Sequence, residues 1–140
     1  MIFTVPWSNK KPRTLAVDKD DNVWVGGGVD YTAQDQPHQK VDGHTGQLVQ
    51  GTLLDADYGG YGGLVDGYGY LWSSGYKLQP TFPRGGLMRV NPTTLQPDTI
   101  GNTDGDYGIG IDPKTQRIWY ASRPQSQMAV YNWYRTLHAD

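Results

Sequence analysis

The sequence lacks cysteine and glutamate altogether, and it contains little alanine. The absence of cysteine excludes a disulfide framework, a thiolate nucleophile and a zinc site with cysteine ligands. All 14 acidic residues are aspartates. Because glutamate and alanine are strong helix formers, a chain that avoids them and uses glycine, tyrosine and tryptophan freely is expected to form strands and turns.

Charge and hydropathy narrow the set of partners. The formal net charge is −2 without any block of like charges, so the sequence lacks the basic surface expected of a nucleic-acid-binding protein. No apolar segment approaches the roughly 18 to 20 residues of a membrane span. The N-terminal segment MIFTVPWSNKKPR places its positive charges after its apolar residues, the reverse of a signal peptide. The compartment stays open, with an extracellular or periplasmic location preferred to a cytoplasmic one.

An internal repeat organises the chain. Three segments align, namely TLAVDKDDNVWVGGG from Thr14, GLVDGYGYLWSSG from Gly63 and IGIDPKTQRIWYAS from Ile109. A repeat of this length is typical of stacked or ring-shaped architectures, in which each unit packs only on its neighbours. The aligned residues are the aspartates Asp18, Asp66 and Asp112, spaced by 48 and 46 residues, and the tryptophans Trp24, Trp72 and Trp119, spaced by 48 and 47.

The sequence of each repeat unit predicts two hairpins. The first hairpin has a polar or glycine-rich turn before the tryptophan, and the second lies in QKVDGHTGQLVQG, LMRVNPTTLQPDTI and QMAVYNWYRTL. Four short strands in a unit of this length predict a blade of a β-propeller. The predicted fold is therefore all-β, with about three propeller blades in a single domain, residues 1–140. The units span approximately 13–54, 62–101 and 107–135, and residues 1–5 are an additional outer strand that completes a blade.

Three blades are too few to close a ring, because propellers usually have roughly four to eight. Either the chain is a piece of a longer propeller, or copies assemble, most simply two copies that give six blades. An open arc would also leave strand edges exposed. The expected partner is therefore a second copy or a larger propeller-containing assembly.

The glycine-rich segment DYGGYGG, residues 57–63, is predicted to lead from the outer strand of one blade to the inner strand of the next. Close packing and positive φ angles both select residues without a β-carbon there. Tyr58 and Tyr107, each preceded by aspartate and followed by glycine, are interpreted as equivalent positions.

These units resemble the repeats of the virginiamycin B lyase (streptogramin lyase)-like β-propellers and, more widely, NHL-type propellers. The similarity lies in RTLAVDKDDNVWVGG, GGLVDGYGYLWSSG and YGIGIDPKTQRIWYAS, and it covers nearly the whole chain. The resemblance implies, for active members, a seven-bladed ring that uses Mg²⁺, a histidine base and a glutamate ligand to open a macrolactone. This chain has fewer than half of those blades and no glutamate, so no catalytic residue is transferred to it.

Candidate ligand-binding residues lie in the loops between the two hairpins of each unit, which differ in length and sequence from unit to unit. These loops are VDYTAQDQPHQ, YKLQPTFPRG and RPQSQ. A rigid scaffold displays such loops on one face, and aromatic side chains beside amides suit a glycan or protein ligand. The alternative is an ordinary solvent-exposed loop. The selected residues are Tyr31, His38, Tyr76, Phe82 and Arg84.

The cluster DKDDN can be interpreted as a metal site or as a hairpin turn. Asp18, Asp20 and Asn22 supply oxygen ligands that suit Ca²⁺ or Mg²⁺, but the glycine and distal glutamate of a calcium loop are absent. The favoured interpretation is a hairpin turn whose side chains bond their own backbone, and the same applies to Asp66 and Asp112. The three repeated tryptophans are expected to pack between blades. No cofactor is predicted.

The resulting hypothesis is a non-enzymatic module for structural self-assembly or for binding a protein or glycan. The alternative is a metal-assisted lyase or lactone-opening enzyme of the streptogramin lyase type. An enzyme would need carboxylates and imidazoles that converge on one point. The lack of glutamate, the position of His44 in a turn and that of His138 near the C-terminus favour the non-enzymatic hypothesis.

Overall fold

The computed structural model describes residues 4–5, 12–27, 36–56, 58–77, 84–101, 107–122 and 127–131. Within these ranges the chain forms eleven strands in three antiparallel sheets and no helix. It follows that no helix in the described part of the chain could span a membrane. The prediction of an all-β fold is confirmed.

The three sheets follow one another along the chain, and in each of them every strand pairs with the next. Sheet I contains β1 (Thr14–Val17), β2 (Val23–Gly26), β3 (Gln36–Val41) and β4 (Leu54–Ala56). Sheet II contains β5 (Gly60–Val65), β6 (Leu71–Lys77), β7 (Arg84–Val90) and β8 (Pro97–Gly101). Sheet III contains β9 (Ile109–Ile111), β10 (Ile118–Ser122) and β11 (Gln127–Tyr131).

In sheet I the fourth strand begins further along the chain than the sequence pattern indicates. Leu48 forms only an isolated bridge to Val41, and the regular fourth strand, β4, pairs with Gln36–His38. Between these two pairings the Thr52 hydroxyl accepts a hydrogen bond from the Lys40 amide at 3.1 Å. A side chain therefore takes the place of a strand partner at this point. Of the predicted strand at residues 1–5, only Thr4 and Val5 are described, and neither lies in a strand.

Two hydrophobic clusters hold the sheets face to face. The alternation of buried and exposed residues along the strands turns one side of each sheet toward its neighbour. The cluster between sheets I and II contains Ala16, Trp24, Leu54, Ala56, Leu71, Met88 and Val90. The cluster between sheets II and III contains Trp72, Leu87, Ile118 and Tyr120, with Leu64, Tyr70, Ile109 and Ile111 packed against it.

The first strands of the sheets lie side by side, with β5 beside both β1 and β9. Glycine permits this close approach. Gly59 and Gly60, just before and at the start of β5, have φ angles of 101° and 90°, a conformation that residues with a β-carbon rarely adopt. A β-carbon on Gly63 of β5 would clash with the Thr14 side chain of β1. A second close approach lies within sheet II, where a β-carbon on Gly75 of β6 would clash with the backbone of Gly59.

Three glycine-to-alanine variants separate the effect of close packing from the effect of a positive φ angle. We expect Gly75→Ala, which meets the Gly59 carbonyl, to lower the free energy of unfolding by roughly 1–3 kcal/mol or more, as overpacking does. Gly51→Ala, with φ of 75° and no neighbour within 4 Å, tests backbone conformation alone and should cost on the order of 1–2 kcal/mol. Gly110→Ala, with neither constraint, is the control. Urea unfolding followed by circular dichroism gives the three values; equal stability of Gly75→Ala and Gly110→Ala would contradict the proposed close approach.

Candidate functional site

The three repeated tryptophans have different environments. Trp24 and Trp72 are 1% and 2% exposed, between sheets I and II and between sheets II and III respectively. Trp119 is 37% exposed. It lies in β10 between the buried residues Ile118 and Tyr120, so its side chain is on the opposite side of sheet III. We call this side, marked by Trp119, the trailing face.

An apolar side is also exposed at the other end of the stack. Thr14 and Ala16 of β1 are buried toward sheet II, whereas Leu15 and Val17 are 65% and 61% exposed on the opposite side of sheet I. We call this side, marked by Leu15 and Val17, the leading face. Single exposed apolar residues are common on protein surfaces, whereas contiguous apolar patches mark surfaces that become covered.

Cross-strand rows show that these faces are repeats of covered ones. On the leading side, the row Val17, Val23 and Val41 of sheet I corresponds to the row Val65, Leu71 and Val90 of sheet II. The sheet II row packs against sheet I, whereas in the sheet I row Val17 is exposed and Val41 is buried. On the trailing side, Trp24 pairs across the strands with Lys40, and Trp72 with Arg89.

A basic side chain covers each buried tryptophan. The Lys40 ammonium lies 5.2 Å from the centre of the Trp24 ring, and the Arg89 guanidinium lies 5.9 Å from that of Trp72. Such cation–π contacts favour a positive charge over the ring face. The residue that pairs with Trp119 is Val130, so sheet III lacks the basic residue at this position.

A stack of three side chains lies at the start of the first strands. Arg13, Tyr61 and Tyr107 each precede the repeated aspartate by five residues, so they are equivalent positions of the three units. The Arg13 guanidinium lies 4.8 Å from the centre of the Tyr61 ring, and the rings of Tyr61 and Tyr107 are 4.4 Å apart at an angle of 33°. A hydrogen bond to Tyr107, together with burial, raises the pKa of Tyr61. We call these three residues the aromatic ladder.

The ladder corrects one predicted equivalence. The sequence pattern pairs Tyr107 with Tyr58, whereas the structure pairs it with Tyr61, because the extra residues of the glycine-rich segment form a register shift between Gly60 and Gly62. The ring of Tyr58 instead lies against Gly86 of β7. Counting back from the aspartate, rather than matching the Asp-Tyr-Gly motif, would have identified Tyr61.

A fully buried polar cluster underlies the ladder. The Ser73 hydroxyl lies 3.0 Å from the Thr14 hydroxyl and 3.1 Å from His38 Nε2, and it accepts a hydrogen bond from the Gly60 amide at 2.8 Å. His38 Nδ1 lies 2.9 Å from the Gln36 carbonyl, an acceptor only, so Nδ1 carries the proton. Nε2 then accepts a hydrogen bond from Ser73. This cluster joins sheet I to sheet II.

The pair of His38 and Ser73 has the composition of a catalytic dyad, yet it has no contact with solvent. Both side chains are fully buried, so a substrate has no access to them. Burial lowers the pKa of His38 to about 4, against the opposing effect of the hydrogen bond to the Gln36 carbonyl. The imidazole is therefore neutral near pH 7 and acts in holding the two sheets together.

Ser74 extends the same arrangement to the other side of sheet II. Its hydroxyl accepts a hydrogen bond from the Gly62 amide at 3.2 Å and donates one to the Tyr107 carbonyl. Successive residues of a strand point to opposite sides of a sheet. The Ser73 hydroxyl thus bonds sheet I, and the Ser74 hydroxyl bonds the ladder residue Tyr107, two positions before β9. Neither serine belongs to a motif that the sequence alone distinguishes.

The repeated aspartates close the turns in which they lie. Asp18 accepts hydrogen bonds from the amides of Asp20 and Asn22 at 3.0 Å. Asp66 accepts them from two backbone amides of its turn at 2.9 and 3.0 Å, and its other oxygen accepts from the Trp72 indole at 2.8 Å. Asp112 accepts from the Lys114 amide at 3.0 Å. These carboxylates are used locally to satisfy backbone donors.

The residues proposed for a metal site have other partners. Asp18 also forms an ion pair with Lys40 at 2.9 Å, and Asp20 forms an exposed one with Lys19 at 2.7 Å. Burial opposes ionisation of Asp18, but the bonds from Lys40 and from the two backbone amides together keep its pKa below the ordinary value. Across the described ranges, no three histidine or aspartate side chains are grouped so that they could hold a metal ion.

The predicted ligand-binding residues are only partly located. Tyr31 and Phe82 lie outside the described residues, and Tyr76 and Arg84 lie in β6 and β7, at the end where these strands pair. His38 corrects the prediction that placed it in a loop: it belongs to β3 and is buried, because its ring packs over Gly26. Gly26 pairs with His38 across β2 and β3, a pairing that the sequence pattern does not indicate.

No protein-family model matches the chain, and a search of curated proteins also finds no match.

Proposed function

We propose that the chain is a non-enzymatic β-propeller module whose function is structural self-association. Each sheet is taken as one blade, with the first strands β1, β5 and β9 toward the axis of the ring. The proposal is supported by the order of the sheets, by their face-to-face packing and by the side-by-side arrangement of these strands. The observation that carries it is the exposure of Trp119, whose two equivalents are buried between sheets.

The uncovered faces contribute apolar burial to association. Full burial of a large apolar side chain contributes roughly 1.5–3 kcal/mol. A ring of two copies would bury Trp119, Leu15 and Val17 of both chains. Because Trp119, Leu15 and Val17 are 37%, 65% and 61% exposed, each of these six side chains would gain only part of that amount, against an association cost on the order of 4–15 kcal/mol. Closure into six blades also falls within the usual range of roughly four to eight for propellers.

Light scattering of the purified chain, with and without a chelator, tests the proposal. We expect a particle of about twice the 15.6 kDa mass of one chain, unchanged by chelation. A monomer at all concentrations would contradict self-association and would assign the two faces to further sheets of a longer chain. A mass that falls on chelation would favour a metal-dependent assembly and, with it, the streptogramin lyase-type alternative.

A protein or glycan ligand is the second candidate partner, and the aromatic ladder favours it. Tyr107 is 41% exposed and Arg13 is exposed, so the ladder offers a ring face and a guanidinium to solvent. Aromatic rings and planar cations are common contacts for such ligands. A ligand bound there would compete with any contact between copies that covers Arg13 and Tyr107.

A further inference from the structure

The two contacts between sheets within the chain have the same polarity. At the first contact the trailing side of sheet I, with Trp24, packs on the leading side of sheet II, with Leu71 and Val90. At the second contact the trailing side of sheet II, with Trp72, packs on the leading side of sheet III, with Ile118. A tryptophan side therefore always meets an aliphatic side. No second sheet of the described chain covers the side of sheet III marked by Trp119 or the side of sheet I marked by Leu15 and Val17.

We propose that copies of the chain join head to tail, with the trailing face of one copy on the leading face of the next. This inference rests on the proposed self-association and specifies its geometry. Trp119 would take the place of Trp24 and Trp72, and Val17 and Val23 would take the place of Val65 and Leu71 in sheet II. The contact between copies continues an interface that the chain already forms twice. Pairing of like faces would instead set tryptophan against tryptophan, an arrangement found at neither internal contact.

Space beside Trp119 agrees with this arrangement. A β-carbon built on Gly110, the residue that pairs with Trp119 in β9, would meet no atom within 4 Å. The equivalent positions in sheets I and II are Ala16, which is buried, and Leu64, which is partly buried, both against a following sheet. The trailing face thus leaves room for the aliphatic side chains of a leading face.

The aromatic ladder continues in the same direction. Along the chain it runs from Arg13 to Tyr61 to Tyr107, and each member stacks on the next. In a head-to-tail contact the next member after Tyr107 is Arg13 of the following copy. A guanidinium on a tyrosine ring is a favourable contact and already occurs between Arg13 and Tyr61. Two copies would close a ladder of two arginines and four tyrosines around the axis.

Mixing two variants tests the polarity. Val17→Asp places a charge on the leading face, and Trp119→Asp places one on the trailing face; both positions are exposed, so the fold should tolerate the changes. Each variant alone should be monomeric, because neither retains both faces of a contact. An equimolar mixture should form a one-to-one complex, because the intact trailing face of Val17→Asp meets the intact leading face of Trp119→Asp.

Sedimentation velocity of each variant and of the mixture gives the answer, with circular dichroism to show that each variant is folded. A variant that is misfolded is replaced by Leu15→Asp for the leading face or Trp119→Gln for the trailing face. Self-association of Val17→Asp alone, or the lack of a complex in a mixture of folded variants, would overturn the head-to-tail arrangement while leaving self-association of the unmodified chain intact. A monomeric unmodified chain would refute the proposed function itself.

Replacement of Arg13 provides an independent measurement. Arg13→Ala should weaken association of the unmodified faces by roughly two- to fivefold, the effect of an exposed cation–π contact, and Arg13→Lys should restore part of it. Arg117→Ala, at an exposed position between β9 and β10 and outside the ladder, is the matched control and should leave the affinity unchanged. Equal affinities for Arg13→Ala and Arg117→Ala would refute continuation of the ladder between copies.

Discussion

Trp72→Ala is expected to lower the free energy of unfolding by about 3–5 kcal/mol, the usual cost of truncating a buried tryptophan. Trp72 is 2% exposed between sheets II and III, where it packs near Leu87 and Ile118. Truncation opens a cavity that the two sheets cannot close without moving apart. It also removes the indole hydrogen bond to Asp66, which leaves one oxygen of that carboxylate without its donor.

The repeat provides a control for this prediction. Trp119→Ala makes the same chemical change at the equivalent position of sheet III, where the side chain is partly exposed. Its cost should be below about 1 kcal/mol at a protein concentration at which the chain is monomeric, as for most surface substitutions. Urea unfolding followed by far-ultraviolet circular dichroism measures both. Trp72→Phe, which leaves a smaller cavity, serves if the alanine variant does not fold. Similar losses for Trp72→Ala and Trp119→Ala would contradict the described difference in packing.

A loss of stability between pH 6.5 and 4 is the second large effect that we expect, and it follows from His38. The pKa of His38 is lowered from 6.5 to about 4 in the folded chain because the imidazole is buried. The unfolded chain therefore binds a proton below pH 6.5 that the folded chain does not bind until about pH 4. Unfolding is thus favoured progressively as the pH falls through this window, and the loss is complete below it. A shift of this size corresponds to about 3 kcal/mol.

Unfolding free energies measured from pH 7.5 to 4 check this prediction. His38→Gln keeps a polar side chain near Ser73 and removes the imidazole, so it should be less stable than the unmodified chain at pH 7 but lose much less stability on acidification. His44→Gln removes an exposed imidazole in a turn and should keep the full loss. The experiment ends near pH 4 because Asp18, Asp42 and Asp112 have lowered pKa values, and the stability they contribute is lost only at lower pH. An unchanged slope in His38→Gln would show that another group is responsible.

The repeat allowed much of the fold to be predicted from the sequence. Glycine-rich turns and alternating apolar residues specify short antiparallel strands locally, and the spacing of Asp18, Asp66 and Asp112 specifies how many sheets to expect. The all-β class and three antiparallel sheets follow from these local patterns. The start of β4 does not, because its pairing with β3 depends on Thr52, whose hydroxyl replaces a regular strand partner.

The candidate site was much harder to predict, because its residues act between sheets. Ser73 and Ser74 look like ordinary strand residues until the neighbouring sheets place Thr14 and Tyr107 next to their hydroxyls. His38 looks like a loop residue until the absence of a side chain at Gly26 provides room for its ring. Likewise, the sequence shows three equivalent tryptophans, and only the order of the sheets reveals that no further sheet of the described chain lies on the Trp119 side of sheet III.

The face-to-face order of the sheets makes the chain a short one-dimensional array. In such an array the stability of each unit is approximately its own contribution plus one term for each neighbour. Sheet II has a neighbour on both sides, whereas sheets I and III have one each within the described chain. Sheet II should therefore open last, and the two end sheets should fray toward it. A ring has no end units, so closure would give every sheet the protection that a single chain gives only to its middle one.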